Sequence, residues 1–450
     1  RGECDIDVAE PNWVAVKGAL ESIAPLLAGD QAPALEAARE VAERFAADGY
    51  RVLALADAGI EAVPDEPEDA EQGLTLVGIV AMADPPRDPA MIAIRESQSA
   101  GITPVMITGD HQLTAVAIGR RLGMLDDTRE TITGAELAEI EDDELAERVK
   151  TIGVYARTTP EQKLRIVDAW RKQGAVSAMT GDGVNDAPAL RKADIGVAMG
   201  ITGTDVSKEA SDMILADDDF STIVHAVEEG RRIYANIRRF VRYLLTTNSA
   251  EIMVMVAAPF LGLPLPLLAI QILWINLVTD GAPALSLGVE PAHPRAMRQP
   301  PRDPKASILG DGLWQHALWV GLLMTVITLA VQSWSYHGGA SEETWRTMVF
   351  TVLAFMQLSH ALVVRSERDS IFTLGFTTNK PMLFVLIGSA LVQLALVYVP
   401  FLHPIFNTTA LTLEELLVVA LVTPIPFIAV EIEKWIRRRG EPDAETSAAA

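Results

Sequence analysis

The sequence predicts a doubly wound α/β domain followed by an all-α bundle of six transmembrane helices, and three observations predict it. Short apolar runs alternate with amphipathic stretches through the first half of the 450 residues, the pattern of a parallel sheet covered by helices on both faces. From Val241 onward, apolar stretches of roughly twenty residues recur, each long enough to cross about 30 Å of hydrocarbon. The formal charge of −23 is also lopsided: residues 1–230 hold 44 Asp and Glu against 20 Lys and Arg, whereas 231–450 hold 16 against 17. An acidic soluble half therefore precedes a near-neutral membrane half, and this acidity argues against nucleic acid as a partner.

In the soluble half, residues 74–81, 103–107, 153–155, 175–179 and 195–198 read as short buried strands, and 89–100, 112–122, 160–172 and 186–192 as the helices between them. Ligands of such a sheet bind at the carboxyl ends of its strands. Two of those ends carry Thr108-Gly109-Asp110 and Thr180-Gly181-Asp182-Gly183, so both turns are placed to face one site. The single cysteine, Cys4, leaves neither a disulfide framework within the chain nor a thiolate cluster for a soft metal. Arg1-Gly2-Glu3-Cys4 has no initiator Met and no signal-peptide profile, and the chain reads as a fragment.

The membrane spans fall near 241–262, 265–289, 313–335, 347–366, 382–402 and 415–435. Arg231, Arg232, Arg238, Arg239 and Arg242 precede the first; Arg295, Arg298, Arg302 and Lys305 follow the second; Lys434, Arg437, Arg438 and Arg439 close the last. The positive-inside rule makes those ends cytoplasmic, together with the soluble half and the C-terminus. Pro264 and Pro266 break the chain into an outside turn, and 441–450 reads as a disordered tail.

Each part of the soluble site has a chemical reason. Glycine after a strand lets backbone N–H groups approach an anion, and the following helix N-terminus favours negative charge. Asp182 and Asp186 offer hard oxygens to Mg²⁺, Asn185 offers an amide to a phosphoryl oxygen, and Lys163 brings an ammonium to the same group. A lone Asp-Gly turn would be no more than a turn; two such turns with a lysine in this order point to phosphoryl chemistry.

At this point the chain resembles the P-type cation-transporting ATPases, in their calcium-pump-like branch. The resemblance rests on Val16-Lys17-Gly18-Ala19, Arg51-Val52-Leu53-Ala54-Leu55-Ala56, Asp84-Pro85-Pro86-Arg87, Met106-Ile107-Thr108-Gly109-Asp110, the run from Thr180 to Leu190, Ala193-Asp194-Ile195-Gly196-Val197-Ala198-Met199-Gly200, and Leu273-Trp274-Ile275-Asn276-Leu277-Val278-Thr279-Asp280-Gly281. It implies a haloacid-dehalogenase-like phosphorylation domain at 73–230, the remnant of a nucleotide domain at 1–72, and membrane helices five to ten at 231–440. It also implies ATP, Mg²⁺ and a transported cation as ligands, membrane lipid as surroundings, and a plasma-membrane location. Lys17 and Arg51 are then nucleotide contacts, although as residues alone they read as solvated surface. Thr108, Gly109, Asp110, Arg157, Lys163 and Asn185 meet nucleotide or phosphate, and Asp182 meets Mg²⁺. Asp84 to Arg87 is the implied hinge.

The departures are equally specific. Asp-Lys-Thr-Gly-Thr, whose aspartate accepts phosphate in this family, is absent, as are Thr-Gly-Glu of the actuator and Pro-Glu-Gly-Leu-Pro of the fourth membrane helix. The expected partner is therefore a missing N-terminal part holding the actuator, the first four membrane helices and the phosphorylated aspartate, and the chain alone is expected to be inactive. A membrane-anchored phosphatase would need a nucleophilic aspartate that no suitable strand carries. A non-catalytic membrane subunit binding nucleotide or cation stays open.

The ion path is legible from spacing. Asn248 and Glu251 share a face of the first membrane helix, and Asn276, Thr279 and Asp280 share one of the second. Carboxylates in hydrocarbon are costly and mark ion routes; Asn248, Asn276 and Thr279 taken alone also suit plain interhelical hydrogen bonds. Carboxylate, amide and hydroxyl oxygens favour a hard cation, Ca²⁺ first, with Na⁺, Mn²⁺ and H⁺ open. Gly281 and Pro283 predict a locally unwound helix. Gln357 stands where two-site calcium pumps place a Glu, which favours one divalent ion per cycle, and His360 beside it reads as a packing or headgroup-facing residue rather than a ligand. The segment 231–242 reads as a basic lever towards the phosphorylation domain or as a lipid anchor, and Asp217-Asp218-Asp219 as solvated surface.

Overall fold

The computed structural model describes residues 12–47, 50–60, 70–82 and 86–440. Cys4, Asp84-Pro85 and the tail 441–450 lie outside the described residues. The chain divides into two units, residues 1–226 with 297–301, and residues 227–296 with 302–450.

The first unit opens with an antiparallel sheet, β1 (Asn12–Gly18), β2 (Arg51–Ile60) and β3 (Thr75–Met82), in the order β1-β2-β3. Helix Ala32–Ala47 covers one face, packing Leu35, Ala38 and Ala42 with Val14, Val16, Ala54 and Ala56. The segment expected as a parallel strand at 74–81 thus belongs here, paired antiparallel with β2. Its apolar run resembles a strand buried on both faces, but Val77 and Val80 are exposed while Leu76 and Ile79 pack with the buried Ala56 and Ala54 that they pair with, the one-sided burial that antiparallel sheets tolerate.

Two parallel sheets follow, each of three strands. β4 (Met106–Ile107), β5 (Glu130–Thr133) and β6 (Ile152–Ala156) run in the order β4-β6-β5, and β7 (Ala178–Gly181), β8 (Ile195–Met199) and β9 (Met213–Leu215) in sequence order. The α/β class expected from the sequence is therefore present, with the parallel part divided. No ladder joins β4 to β7 among the described strands. Side chains join them instead: Ile107 packs both with the core around Ile132, Tyr155 and Ile166 and with that around Val167, Met179 and Leu190. β6 is buried at every position, as a central parallel strand should be.

Helix Pro160–Lys172 begins where Thr159, Pro160 and Gln162 direct it. Thr159 accepts from the Gln162 N–H, Gln162 accepts from the Thr159 N–H, and Pro160 occupies the first turn. Asp218 corrects the reading of 217–219 as mere solvated surface. At φ 52° it gathers the N–H groups of Gly200, Ile201 and Thr202 and the Thr202 hydroxyl onto one carboxylate.

Among the described residues of the second unit, five helices are long and apolar enough to cross a membrane: Ala269–Leu287, Leu313–His337, Glu342–Val363, Lys380–Tyr398 and Leu413–Arg439. These match the second to sixth expected spans. The first expected span, 241–262, is the end of the 41-residue helix Phe220–Phe260, whose Thr246, Thr247, Asn248 and Glu251 dilute its apolar character. Glu342–Val363 is 83% buried over its most apolar window and Leu413–Arg439 only 17%, which makes the former the central helix. Phe350, Val352, Leu353 and Met356 on it are fully buried.

Candidate functional site

Two clusters hold the chemistry, one in each unit. In the first unit, Lys163 follows the capped start of helix Pro160–Lys172, and its Nζ meets Asp186 Oδ1 at 2.6 Å. The other oxygen, Asp186 Oδ2, accepts the N–H groups of Asp182 and Gly183 at 3.3 and 3.2 Å. Gly181 is required here, because a Cβ on it would lie 2.4 Å from the Asp186 Cβ. The Asp182 carbonyl is held by Thr204 N–H and the Ser207 hydroxyl, leaving the Asp182 side chain exposed beside that of Asn185. Asp186 is buried and committed to Lys163 and the turn. Its role as a second metal oxygen gives way to that of a brace, and Asp182 alone presents a free hard carboxylate fitting Mg²⁺.

The second turn is built against β6. Thr108 N–H donates to the Tyr155 carbonyl, its hydroxyl to Asp110 Oδ2 at 3.0 Å, and Arg157 N–H donates to the Asp110 carbonyl at 3.2 Å. Arg157 adopts φ 52°, a left-handed conformation held by surrounding structure and characteristic of ligand turns. Thr108, Gly109, Asp110 and Arg157 are thus one constellation, and Lys163, Asp182, Asn185 and Asp186 another. Both sit at carboxyl ends of parallel strands, and Ile107 packs with the core beneath each. Lys17 is exposed on β1, opposite Leu55, and the Arg51 backbone starts β2, opposite Met82.

In the second unit the sequence-predicted cation ligands converge. Glu251, Thr279, Asp280 and Gln357 are buried on three helices. Gln357 Nε2 donates to Glu251 Oε1 at 2.8 Å, Asn276 Nδ2 to Glu251 Oε2 at 3.2 Å, and the Thr279 hydroxyl to Gln357 Oε1 at 3.3 Å. Asn248 is half-buried and donates to the Leu244 carbonyl, outside this network. Asp280 Oδ2 is buried without a hydrogen-bond partner among the described residues, an unmet acceptor that suits a cation. Two carboxylates, two amides and a hydroxyl form a hard-oxygen donor set.

The helix here is not unwound. Ile275–Gly281 forms a π-turn continuous with the flanking α-helices. Pro283 has no N–H to give the preceding turn, and the Thr279 carbonyl accepts the Tyr243 hydroxyl at 2.8 Å instead. Widened turns of this kind concentrate at functional sites. Tyr243, also 3.3 Å from Asp280 Oδ1, escaped the sequence reading. Its signal was present, since Tyr243, Thr247 and Glu251 lie at successive four-residue spacings on one face.

Residues 264–436 match the family model of the cation transporting ATPase C-terminus, and residues 11–194 that of haloacid dehalogenase-like hydrolases. Calcium-transporting ATPase 1 of Yarrowia lipolytica is 42% identical over 434 residues, covering 94% of this chain and 47% of that protein. The calcium-transporting ATPase of Bacillus subtilis is 43% identical over 86% of the chain and 44% of its own length, and human calcium-transporting ATPase type 2C member 2 is 43% identical over 87% and 40%. This chain belongs to the P-type cation-transporting ATPases. It is a multi-pass membrane member, and it spans about half the length of the curated relatives it matches.

Proposed function

We propose that this chain forms the C-terminal part of an ATP-driven calcium pump. The observation that carries the reading is the cluster of buried Glu251, Thr279, Asp280 and Gln357 with the exposed Asn276 bonded to its edge, since carboxylates, amides and a hydroxyl gathered inside an apolar bundle have a hard cation as their natural occupant.

In this reading the Thr108–Asp110 turn and Arg157 orient ATP, with Lys17 and Arg51 as further nucleotide contacts. Lys163, fixed by Asp186, and Asn185 neutralise and position the phosphoryl group. Asp182 would hold Mg²⁺, which when bound withdraws charge from phosphoryl oxygens. The acceptor of an aspartyl phosphate would be an Asp-Lys-Thr-Gly-Thr aspartate, a motif this sequence lacks; an actuator and four further membrane helices complete the pump. Residues 1–72, 73–230 and 231–440 then serve nucleotide binding, phosphorylation and transport, with β3 continuing the sheet of the first. Gln357 in place of a third carboxylate favours one calcium per cycle, and the basic ends near Arg231 and Arg437 favour an orientation with the soluble half and the C-terminus in the cytoplasm, the plasma membrane being the proposed location.

The decisive experiment is cation-stimulated ATP hydrolysis by the pump containing this chain. Stimulation by micromolar Ca²⁺ that Asp280→Asn abolishes is expected. Stimulation by Na⁺, Mn²⁺ or H⁺ alone would transfer the reading to that cation.

A further inference from the structure

Just beyond the span Ala269–Leu287 lies a buried ion pair that the cation cluster does not use. Glu290 is 2% exposed, and Arg365, two residues past helix Glu342–Val363, is 1% exposed. Arg365 Nε reaches Glu290 Oε1 and Oε2 at 3.1 and 3.0 Å, and its Nη2 reaches Oε1 at 2.7 Å. The guanidinium is engaged on its far side as well, where Nη1 donates to the Gly375 carbonyl at 3.0 Å and Nη2 to the Thr378 hydroxyl. Asn379 caps helix Lys380–Tyr398 by accepting the Met382 N–H, and its amide donates to Glu290 Oε2 at 2.7 Å and to the Ser286 carbonyl at 3.0 Å. The Glu290 carbonyl takes the side chains of Asn236 and Arg232 from the long helix at 3.0 and 3.2 Å.

Stability alone does not account for such a pair. Taking both charges out of water offsets much of their attraction, and apolar residues of the same volume often hold a fold as well or better. What the bidentate fork adds is direction, since guanidinium and carboxylate meet in one plane and one register, and fixing register is the best-attested use of buried polar and charged groups. The helices registered here are two of those that carry the cation cluster. Asp280 lies ten residues before Glu290, and Gln357 eight residues before Arg365. At the cluster the same two helices share a weaker rung, the 3.3 Å bond from the Thr279 hydroxyl to Gln357 Oε1. A neutral bond there constrains one point; a second, charged contact further along constrains tilt and sliding as well. The segment between the rungs can transmit that constraint, because Ala282–Leu287 is helical and its Ser286 carbonyl is itself tied to Asn379.

We propose that Glu290 and Arg365 are positioning residues of the cation cluster: their ion pair sets the register of span Ala269–Leu287 against helix Glu342–Val363 and so fixes where Thr279 and Asp280 stand relative to Gln357. The proposal rests on the calcium-pump reading. Neither residue touches the cation, and each acts through the helix it ends. The guanidinium uses both carboxylate oxygens, so charge alone does not set the register; a lysine ammonium, a point charge without the planar fork, restores the attraction but not the alignment.

The test measures calcium-stimulated ATP hydrolysis and thermal melting of the pump containing this chain, for wild type, Arg365→Lys, Glu290→Gln and the double variant Glu290→Met/Arg365→Met. In each variant the calcium concentration for half-maximal stimulation is expected to rise about fivefold or more, with turnover at saturating calcium and the KM for ATP within about twofold of wild type. The double variant buries no unpaired charge. It is expected to melt close to wild type and yet keep the raised calcium midpoint, a separation that a merely structural pair would not give. Calcium midpoints within about twofold of wild type in all the variants, or a midpoint that recovers together with the melting temperature in the double, overturn the positioning role and leave the pump reading intact. A wild-type pump that calcium does not stimulate overturns that reading and the positioning role with it. If these variants fail to assemble, Asn379→Ser keeps a capping side chain and withdraws the amide from Glu290 and Ser286. A calcium midpoint raised at least about twofold is then expected, and an unchanged one overturns the proposal.

Discussion

Gln357 Nε2 donates a 2.8 Å hydrogen bond to Glu251 Oε1, and the Thr279 hydroxyl donates to the oxygen of the same amide. The amide is thereby fixed, nitrogen towards the carboxylate, at a position with no exposed surface. An approaching cation must turn that nitrogen away, so Gln357 opposes binding as it stands and assists once it rotates. Only the carboxylate of Glu251 contributes charge at this point, which is the geometric argument for a single divalent ion.

Gln357→Leu removes both effects and leaves Glu251 with Asn276 as its remaining hydrogen-bond donor. The variant also has no amide oxygen to turn towards the bound cation, and a polar contact to a charged group is worth roughly 1.5–3 kcal/mol, so the calcium concentration for half-maximal ATPase stimulation is expected to rise, by about tenfold less whatever the released Gln357–Glu251 bond returns. A calcium titration of the variant pump checks this; an unchanged midpoint would show that Gln357 is a spectator.

Tyr243 and Pro283 act together on the π-turn. Pro283 cannot donate backward, and the freed Thr279 carbonyl takes the Tyr243 hydroxyl. Tyr243→Phe is expected to lower calcium affinity about three- to tenfold, the worth of roughly one net hydrogen bond, while leaving nucleotide affinity unchanged. Pro283→Ala supplies the missing N–H and is expected to shift affinity in the same direction while raising thermal stability. Calcium titrations and melting curves of both variants read the two effects separately.

How far these elements were legible in the sequence depended on what each strand or helix buries. Helix Pro160–Lys172 was read to the residue because Thr159, Pro160 and Gln162 specify its start. β5, Glu130–Thr133, was missed because its single buried apolar residue, Ile132, gives no period. The segment at 74–81 was put in the wrong sheet because its apolar residues fall on both faces, and only pairing decides which face is covered. The gathering of Glu251, Thr279, Asp280 and Gln357 was legible because a carboxylate in a membrane span has few structural excuses. The π-turn was not, since Gly281 and Pro283 announce a freed carbonyl without saying whether the helix opens or widens.

The Lys163–Asp186 pair predicts a coupled loss of stability and phosphoryl chemistry. Both side chains are largely shielded, at 17% and 10% exposure, and Asp186 Oδ2 also holds the turn that presents Asp182. Lys163→Ala leaves a buried carboxylate without its cation and is expected to cost about 3 kcal/mol or somewhat more, together with most ATPase activity. Lys163→Ala/Asp186→Asn should recover stability, because no unpaired charge remains, yet recover no activity, because the ammonium is still missing. Denaturation midpoints and turnover, measured on both variants, separate bracing from chemistry.

Asp218 predicts a pH dependence of defined sign. Backbone N–H donation, from Ile201 foremost and from Thr202 and Gly200, with the Thr202 hydroxyl, holds its pKa down at about 2, against about 3.9 for an aspartate in an unfolded chain. A carboxylate with a depressed folded pKa contributes stability that is fully present above the unfolded value and is lost as pH falls through the folded one. Asp218→Asn keeps a residue that tolerates φ 52° and removes only the charge. The variant is therefore expected to melt below wild type at pH 7, with the difference shrinking as pH falls from about 4 to about 2. Melting curves across that range decide the matter, since a difference equal at both ends would mean that lost geometry, rather than the charge on Asp218, destabilises the variant.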